Sequence, residues 1–580
     1  MADWRGRLAT IDREIWALLA LSVFAWMPLL APGYFLDAHD APHTLFFLRQ
    51  FDQALRDGCL IPRWGADFAL GYGYPLFLFY SPLAYYVAEA FHLLGAGLTA
   101  AVKLTYVLAF ILSALAMYGL GRRLFGRSAG LLAGLLYTYF PFHLADVYVR
   151  CDLAESLAYV FMPLVVLAFT NLTECGRPRD LAWAGLSYAG LVLAHNGTVL
   201  VFTPLLMAWV LFLALRRWRQ AGLRPALRAA GLALAGAPLA GLVSAFFLLP
   251  AFLERAYIVE EQWIQGSYNY LKHFVYPAQL LSPFWGFGYA GEGLADEMPF
   301  QLGLIPLTFA IGASVLGARR RGTQGFLIAA TLATVFFMLP ASAPLWDLVP
   351  LAALIQFPWR LLILAAVTLS LLAGSLGAGL ERSAAGAPAF VLALIVVLGS
   401  YPYTLPEYTE HSPRAEEPVA VIEFELVYPP DRTGMMAWTQ EQPMTTPLAP
   451  QYLAGEPLVK AHALDEAATV EMVRHGGCSE EIIVRAPAPT TVEFYTYYFP
   501  GWRATVDGEP APIRPSGKYG LIALDVPAGE HRVGLRFGNT PIRTAGELVS
   551  LAGLALAGWL LAHGGGRRPQ PRADRARVGQ

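Results

Sequence analysis

Apolar stretches long enough to cross a bilayer recur at residues 14–32, 104–120, 129–142, 156–172, 181–195, 198–215, 229–252, 302–318, 325–341, 361–380, 388–402 and 545–562. A helix needs roughly 17–25 apolar residues to cross a hydrocarbon core, so the pattern predicts about twelve spans. The pattern changes character in one long region. Residues 404–543 are polar, rich in Pro, Thr and Glu, and alternate with period two in TTVEFYTYYF and HRVGLRF, as strands with one buried face do. Turn signals at Pro500-Gly501, Asp507-Gly508 and Pro527-Ala528-Gly529 separate strand-length runs, and Val533, Leu535 and Phe537 share a face. The predicted fold is an α-helical polytopic membrane protein with a β-sandwich or jelly-roll-like domain inserted before the last helix. Through Arg474 the alternation is weak and prolines are many, so no strand order follows there. The chain divides into a transmembrane domain at 1–403, a β-rich domain at 404–543, a last helix at 544–563 and a basic tail at 564–580.

Charge orients these spans. Arg122, Arg123 and Arg127; Arg177 and Arg179; Arg216, Arg217, Arg219, Arg224 and Arg228; Arg319 to Arg321; Arg382; and the Arg567 to Arg577 tail all fall on one side. By the positive-inside rule that side is cytoplasmic. Both termini are then expected in the cytoplasm, and the β domain outside. The stretch YPLFLFYSPLAYYVAEAFHLLG at 74–95 breaks this arrangement if it spans, because Arg122 and Arg123 would move outside. Its prolines and tyrosines suit a helix at headgroup level, so the first outer loop is expected to run from about Gly33 to about Ala101. Arg5, Arg7 and Arg13 precede the first apolar run with no small-residue cleavage site after it, which reads as a retained first span.

Composition narrows the function. Of 580 residues 56% are hydrophobic and only 14% charged, with mean hydropathy +0.47, far from a soluble protein's balance. Net charge is −2, which leaves no basic surface for nucleic acid. The four cysteines, Cys59, Cys151, Cys175 and Cys478, show no CxxC or metal spacing, so no disulfide framework or zinc ribbon is expected and any bridge would be incidental.

Candidate chemistry collects in the outward loops. In FLDAHDAPH, Asp37 and Asp40 stand three apart and His39 and His43 four apart, so each pair would share a helical face and could bind a divalent cation or pass a proton. Equally, Asp40 would cap a helix entered through Pro42. In DVYVRCDLAES, Arg150 lies among Asp146, Asp152 and Glu155, either as a guanidinium held to face an anion or as an interfacial ion-pair cluster, the second being favoured. His195 reads as packing more readily than as a ligand, with Asn196 beside it. In IQFPWRLLI, Arg360 follows Pro358 and Trp359 at a span mouth, placed to meet lipid phosphate or to anchor at the interface.

These loops together resemble a family. The acidic motif after the first span, then IPRWGADFALGYGYPLFLFYSPLAYY, DVYVRCDLAES, HN, HFVYPAQLLSPFWGFG, FQLG and QFPWR, resemble bacterial membrane proteins labelled 6-pyruvoyl-tetrahydropterin-synthase-related. The segment YYFPGWRATVDGEPAP…VPAGEHRVGLRF before the last span is similar to the end of YfhO-type membrane proteins, although TGMMAWTQEQP departs from that pattern. The label is not an activity, since no three-histidine zinc site of the soluble pterin synthase is visible. The architecture resembles the GT-C glycosyltransferase superfamily, and the resemblance implies transfer of a sugar from a polyprenyl-(di)phosphate donor to a saccharide, lipid or protein acceptor outside the membrane. It implies Asp40 as the base, with Asp37 competing. It implies Arg360, Arg150 and Lys272 at the donor phosphate, with His43, Glu155, His195 and Asn196 in support. Arg150 and Glu155 match R-x-x-x-x-E, with Cys151 where the family turn carries glycine. A Mg or Mn ion, if used, would be expected on Asp40 and His43. Two other classes stay open, a flippase for lipid-linked saccharides and a non-catalytic membrane anchor for the outer domain; the first needs a charged path across the bilayer, which the spans lack.

Overall fold

The computed structural model describes residues 12–295, 297–316, 321–382, 387–410, 412–428 and 435–564. Arg5, Arg7, Arg319, Arg320 and the tail from 565 onward lie outside the described residues, as does the side chain of Arg382. The helices in the first part are α1 (Arg13–Trp26), α2 (Ala41–Arg56), α3 (Leu76–Phe79), α4 (Leu83–Leu93), α5 (Leu98–Phe125), α6 (Arg127–Thr138), α7 (Pro141–Tyr148) and α8 (Leu153–Cys175). Next come α9 (Pro178–Ala194), α10 (Asn196–Ala221), α11 (Leu223–Val243), α12 (Ala245–Leu253), α13 (Pro277–Leu281), α14 (Leu304–Leu316), α15 (Arg321–Met338), α16 (Ala343–Trp346), α17 (Leu362–Gly374) and α18 (Ala387–Ser400). After α19 (Pro418–Val427) and α20 (Ala449–Ala454) the strands begin, and α21 (Pro541–His563) follows them.

Each predicted span holds a helix among the described residues. Among the described residues eight helices are long and apolar enough to cross a membrane, and a ninth qualifies if α15 is joined to the segment beyond its 88° bend. The other three predicted spans hold shorter helices: α6 has 12 residues, α9 has 17 and the described part of α14 has 13. Pro141 explains the first case, because it opens α7 at a break after Tyr139-Phe140 and a proline cannot continue a helix it interrupts. α5 packs against α6 and α8, α6 against α17, and α9 against α11. Small residues allow the close approach: a Cβ on Gly130 would stand 2.8 Å from the Tyr118 carbonyl oxygen, and one on Gly374 2.6 Å from the Ala133 Cβ. The 74–95 stretch forms two short helices, α3 and α4, rather than one span.

The β-rich region is a sandwich of two antiparallel sheets. One carries β1 (Ala461–Ala463), β4 (Thr490–Tyr497), β8 (Leu521–Val526) and β7 (Arg514–Ser516) in that order. The other carries β2 (Thr469–His475), β3 (Ser479–Ala486), β9 (Gly529–Phe537), β5 (Trp502–Val506) and β6 (Glu509–Ala511). Val533, Leu535 and Phe537 are buried on one face, opposite Val492, Phe494, Ile522 and Leu524 of the other sheet. The sheets begin at Ala461, and the described part of 404–460 is helix and loop. That is why alternation is weak there: α19 and α20 pack against the first outer loop instead of pairing as strands.

The outer loop and the sandwich form one body. Trp64 is buried against Trp502 and Phe537, with ring centroids 5.4 and 5.1 Å away. Asp67 accepts hydrogen bonds from Gln50 and from the Tyr452 hydroxyl, each at 2.6 Å, and contacts His475 at 3.2 Å. Burial pushes its carboxyl up, but these partners and nearby Lys460 outweigh that and hold it below the ordinary range. Glu425 of α19 accepts the N–H groups of Ala69 and Leu70 at 2.9 and 2.5 Å, two residues with φ of 53° and 60°. The expectation that any cysteine bridge would be incidental is corrected: Cys59 of the loop is bonded to Cys478 of the sandwich across 419 residues. No spacing rule reports such a pair, because two distant segments must fold together before the thiols meet. Asp57 reinforces the junction by accepting from the Cys478 N–H at 2.9 Å and the Ser479 hydroxyl at 2.6 Å.

Candidate active site

The acidic motif does not enter a helix where its spacing suggested. Residues 36–40 are turns, and α2 begins at Ala41 with Pro42 in its first turn. Asp40 occupies the N-cap position, yet its carboxylate makes no capping bond. Its main chain does the local work: the Asp40 N–H donates to the Arg150 carbonyl at 2.8 Å, and the Thr44 hydroxyl reaches the carbonyls of Asp40 and Cys151 at 2.9 and 3.1 Å. The carboxylate is therefore left for other partners. Burial pushes it up to about 7, Asp152 adds to this, and Arg150 and Arg360 oppose it. Asp40 keeps partial contact with solvent.

The Val149–Cys151 turn to which Asp40 is zipped carries the second motif. Cys151 adopts φ of 56°, the left-handed conformation that favours glycine. The turn keeps its shape with a non-glycine residue because the thiol is fixed, its Sγ lying 3.1 Å from the Tyr34 hydroxyl and 3.2 Å from that of Tyr106. Arg150 follows into the interior. Its guanidinium pairs with Asp146, with Glu155 at 2.6 Å and with Asp152 at 3.3 Å, and its Cζ lies 4.9 Å from the Trp359 ring centroid. Asp152 also caps α8 through the Glu155 N–H at 2.8 Å.

Arg360 comes from the third motif and is held differently. Its Nη1 donates to the Ile355 carbonyl at 3.1 Å and to Gln356 Oε1 at 2.9 Å, and its Cζ sits 4.8 Å over Phe357. Gln356, at φ of 64°, in turn donates to the Trp263 carbonyl at 2.8 Å. The buried Arg360 Nε has no hydrogen-bond partner, and among the described residues no carboxylate pairs with this side chain. Arg150 is thus saturated by acids, while Arg360 retains donors for an anion.

His195 is buried and hydrogen-bonded, as the packing reading expects, and it also lies beside the acids. It caps α10 through Nδ1, which lies 2.8 Å from Thr198 Oγ1, and one ligand atom from each of Asp152, Glu155 and His195 falls within 4.8 Å of the others. Burial lowers the His195 pKa, opposed by Asp152 and Glu155. Two carboxylates and an imidazole are a donor set that suits a divalent cation. As the cap, Nδ1 accepts the Thr198 N–H at 3.3 Å, so the proton of the neutral ring sits on Nε2; the tautomer protonated at Nδ1 gives up that bond, donates to the Thr198 hydroxyl instead and leaves Nε2 free as a ligand atom. Asp152 and Glu155 share their charge with Arg150, so a cation here would compete with that guanidinium.

The other expected residues lie elsewhere. Among the described residues no bond joins Asp40 to His43, the expected metal pair: the His43 ring packs 4.8 Å from Phe424 and 6.2 and 6.0 Å from Phe46 and Phe47, with Nδ1 buried and unpartnered. Burial lowers it to about 4. Asp37 is exposed and is not among the leading charges that act on Asp40. Lys272 is exposed and paired with Glu292 at 3.3 Å. Asn196 is exposed and donates to the Phe79 carbonyl at 2.9 Å, tying α10 to α3. Asp152 was legible only as a flank of Arg150, and its partnership with His195, 43 positions on in the chain, leaves no local signal. Tyr80 and Tyr85, expected at headgroup level, are turned inward, where burial and then Asp152 push their hydroxyls well above the ordinary range.

A family model described as 6-pyruvoyl-tetrahydropterin synthase related domain, membrane protein, matches residues 77–405, and the chain belongs to that family of membrane proteins. The match includes Arg150, Asp152, Glu155, His195 and Arg360; Asp40 precedes it. An uncharacterized protein of Lactococcus lactis subsp. cremoris (strain MG1363) is 25% identical over 241 residues, which are 40% of this chain and 38% of that one. Among solved structures, the mycobacterial arabinofuranosyltransferase AftD (mutant R1389S) aligns at TM-score 0.44 and 16% identity, over 68% of this chain and 28% of that one. The Archaeoglobus fulgidus oligosaccharyltransferase tethered to an acceptor peptide aligns at 0.40 and 14%, over 75% and 60%. Arabinosyltransferase EmbB from Mycobacterium smegmatis aligns at 0.33 and 12%, over 92% and 64%. The chain therefore spans well under half of AftD and of the Lactococcus relative.

Proposed function

We propose that the protein is a GT-C-type glycosyltransferase of a bacterial cytoplasmic membrane that moves a sugar from a polyprenyl-(di)phosphate donor to an acceptor hydroxyl or amide on the extracytoplasmic side. The observation that carries this reading is the pairing, in one cluster, of an uncapped Asp40 carboxylate pushed up to about 7 with Arg360, whose Nε has no partner. A base poised near neutrality can take a proton from a weakly acidic acceptor. A cation with spare donors stabilises a phosphate as it leaves.

In this mechanism the acceptor loses its proton to Asp40 as its heteroatom bonds to the anomeric carbon. The bond from that carbon to the phosphate oxygen breaks, and the electron pair leaves with the phosphate, opposite Arg360. Arg150 is a positioning residue: it neutralises and orders Asp146, Asp152 and Glu155, and through its carbonyl it fixes the Asp40 main chain. Asp152, Glu155 and His195 would hold a divalent cation, Mg or Mn, which supplies charge neutralisation of a phosphate when bound.

Native mass spectrometry of the protein purified from its membrane tests the reading. A copurifying polyprenyl-linked sugar is expected with the wild type and should be depleted in Arg360→Ala. Its absence from the wild type, together with no transfer of radiolabelled lipid-linked sugars by membranes overproducing the protein, would overturn the reading.

A further inference from the structure

At the opposite end of the bundle, α8, α10 and α11 border a cavity of about 460 Å³ whose wall includes Arg217, Arg224 and Arg228. α8 starts beside Glu155 and ends at Cys175 in this wall, so its 23 residues set the cavity roughly 35 Å from the acid cluster. Glu174 is the carboxylate in the wall, and it is already engaged by Arg123 and by Arg216 at 2.6 Å. Among the described residues no carboxylate pairs with Arg217, Arg224 or Arg228. The Arg217 Nε is buried without a hydrogen-bond partner, and its Nη1 finds only the Glu174 carbonyl at 3.5 Å.

Three guanidinium groups around one cavity repel one another unless an anion lies between them. Guanidinium donors match a phosphate in shape as well as charge. The surroundings indicate where that phosphate comes from. Leu223, Leu227 and Leu234 of α11 are 56%, 62% and 72% exposed, and α10 and α11 are both candidate spans, so the cavity lies at the rim of an apolar surface. Acyl chains would cover that surface while the headgroup sits among the arginines.

We propose that this cavity binds the phosphate of an anionic membrane lipid. The site stands apart from the candidate active site and does not depend on the transferase reading.

Cys175 gives a native reporter. It lines the cavity and is exposed, whereas the other free thiol among the described residues, Cys151, is buried. The full chain would be placed in nanodiscs of phosphatidylcholine alone, of phosphatidylcholine with phosphatidylglycerol, or of phosphatidylcholine with inorganic phosphate added, and alkylation of Cys175 by an uncharged maleimide followed by mass spectrometry. Phosphatidylglycerol should slow alkylation roughly tenfold, as expected of a mostly occupied site. Arg224→Ser with Arg228→Ser should remove the protection, and Arg228→Lys should keep most of it. Both arginines are exposed, so their replacement strands no buried partner, and the double variant also controls for the surface potential of the anionic disc. Equal rates with and without phosphatidylglycerol, or protection unchanged in the double variant, would overturn the proposal. Protection by inorganic phosphate but not by phosphatidylglycerol would overturn the lipid assignment and leave a soluble phosphate compound as the occupant.

Discussion

Asp40 shows how a residue's role depends on a bond it does not make. The sequence around it, Asp40 followed by Pro42, fits a helix cap, yet the carboxylate makes no bond to the α2 N–H groups. Its chemistry follows from that freedom. Because burial pushes its pKa up to about 7, the basic form appears only as pH rises through that value. Sugar transfer at saturating donor should therefore climb with pH, be half-maximal near about 7 and level off roughly one unit above it. Asp40→Asn should abolish transfer at every pH while leaving donor binding intact. The stability sign is opposite: in the unfolded chain the group ionises near 4, so the folded protein bears a cost that grows from there and is complete above about 7. Asp40→Asn should thus be at least as heat-stable as the wild type at pH 8. Full transfer by the Asn variant would remove the base assignment.

Arg360 and Arg150 make the complementary contrast. Both are basic residues beside aromatic rings, and the flanking acids in the sequence favour an ion-pair cluster for Arg150. The structure agrees, because three acids occupy Arg150, while among the described residues none pairs with Arg360. Arg360→Ala should weaken binding of a lipid-phosphate donor by roughly 2 to 5 kcal/mol, as for other broken charge pairs, with little effect on folding. Arg150→Ala should instead lower the yield of folded protein, since it strands buried carboxylates. Donor affinity by titration and folded yield by gel filtration separate the two, and an unchanged affinity in Arg360→Ala would exclude its role at the phosphate.

At the scale of elements, what was legible depended on whether the deciding contact was local. The span pattern was legible because helix period and apolar length lie within one segment, and β9 because Val533, Leu535 and Phe537 alternate within nine residues. The start of the sandwich was not, because α19 is placed by its contact with the 69–70 turn through Glu425 rather than by its own pattern. The acid cluster followed the same division: Arg150 and Glu155 stand five apart in the chain, while His195 reaches them only when α9 folds back. The Cys59–Cys478 bridge is the extreme case. Bridges of long sequence separation constrain the unfolded chain most, typically by 2 to 4 kcal/mol, so Cys478→Ser should lower the thermal midpoint and expose the junction near Asp57 to protease. Limited proteolysis of the oxidised, reduced and variant proteins measures this; equal digestion of all three would show that the aromatic and Asp67 contacts hold the sandwich alone.

At the scale of the whole molecule, the bridge and the arginines make independent statements about orientation. Disulfides persist in oxidising compartments, and Cys59–Cys478 lies at the end of the bundle that carries Asp40 and the sandwich. Arginine clusters remain on the cytoplasmic side, and Arg122, Arg123, Arg216 and Arg217 lie at the other ends of α5 and α10. The two criteria agree only if α3 and α4 do not span, and the fold gives them 4 and 11 residues, too few to cross. Ser516 ends β7 in the sandwich and Cys175 lies at the opposite end of α8, so the chain offers a matched pair of positions. A membrane-impermeant maleimide should label Ser516→Cys in intact cells, and Cys175 only after the cells are opened. Reversal of that order would place the sandwich in the cytoplasm, remove the donor's access from the outer leaflet and overturn the extracytoplasmic reading of Asp40 with it.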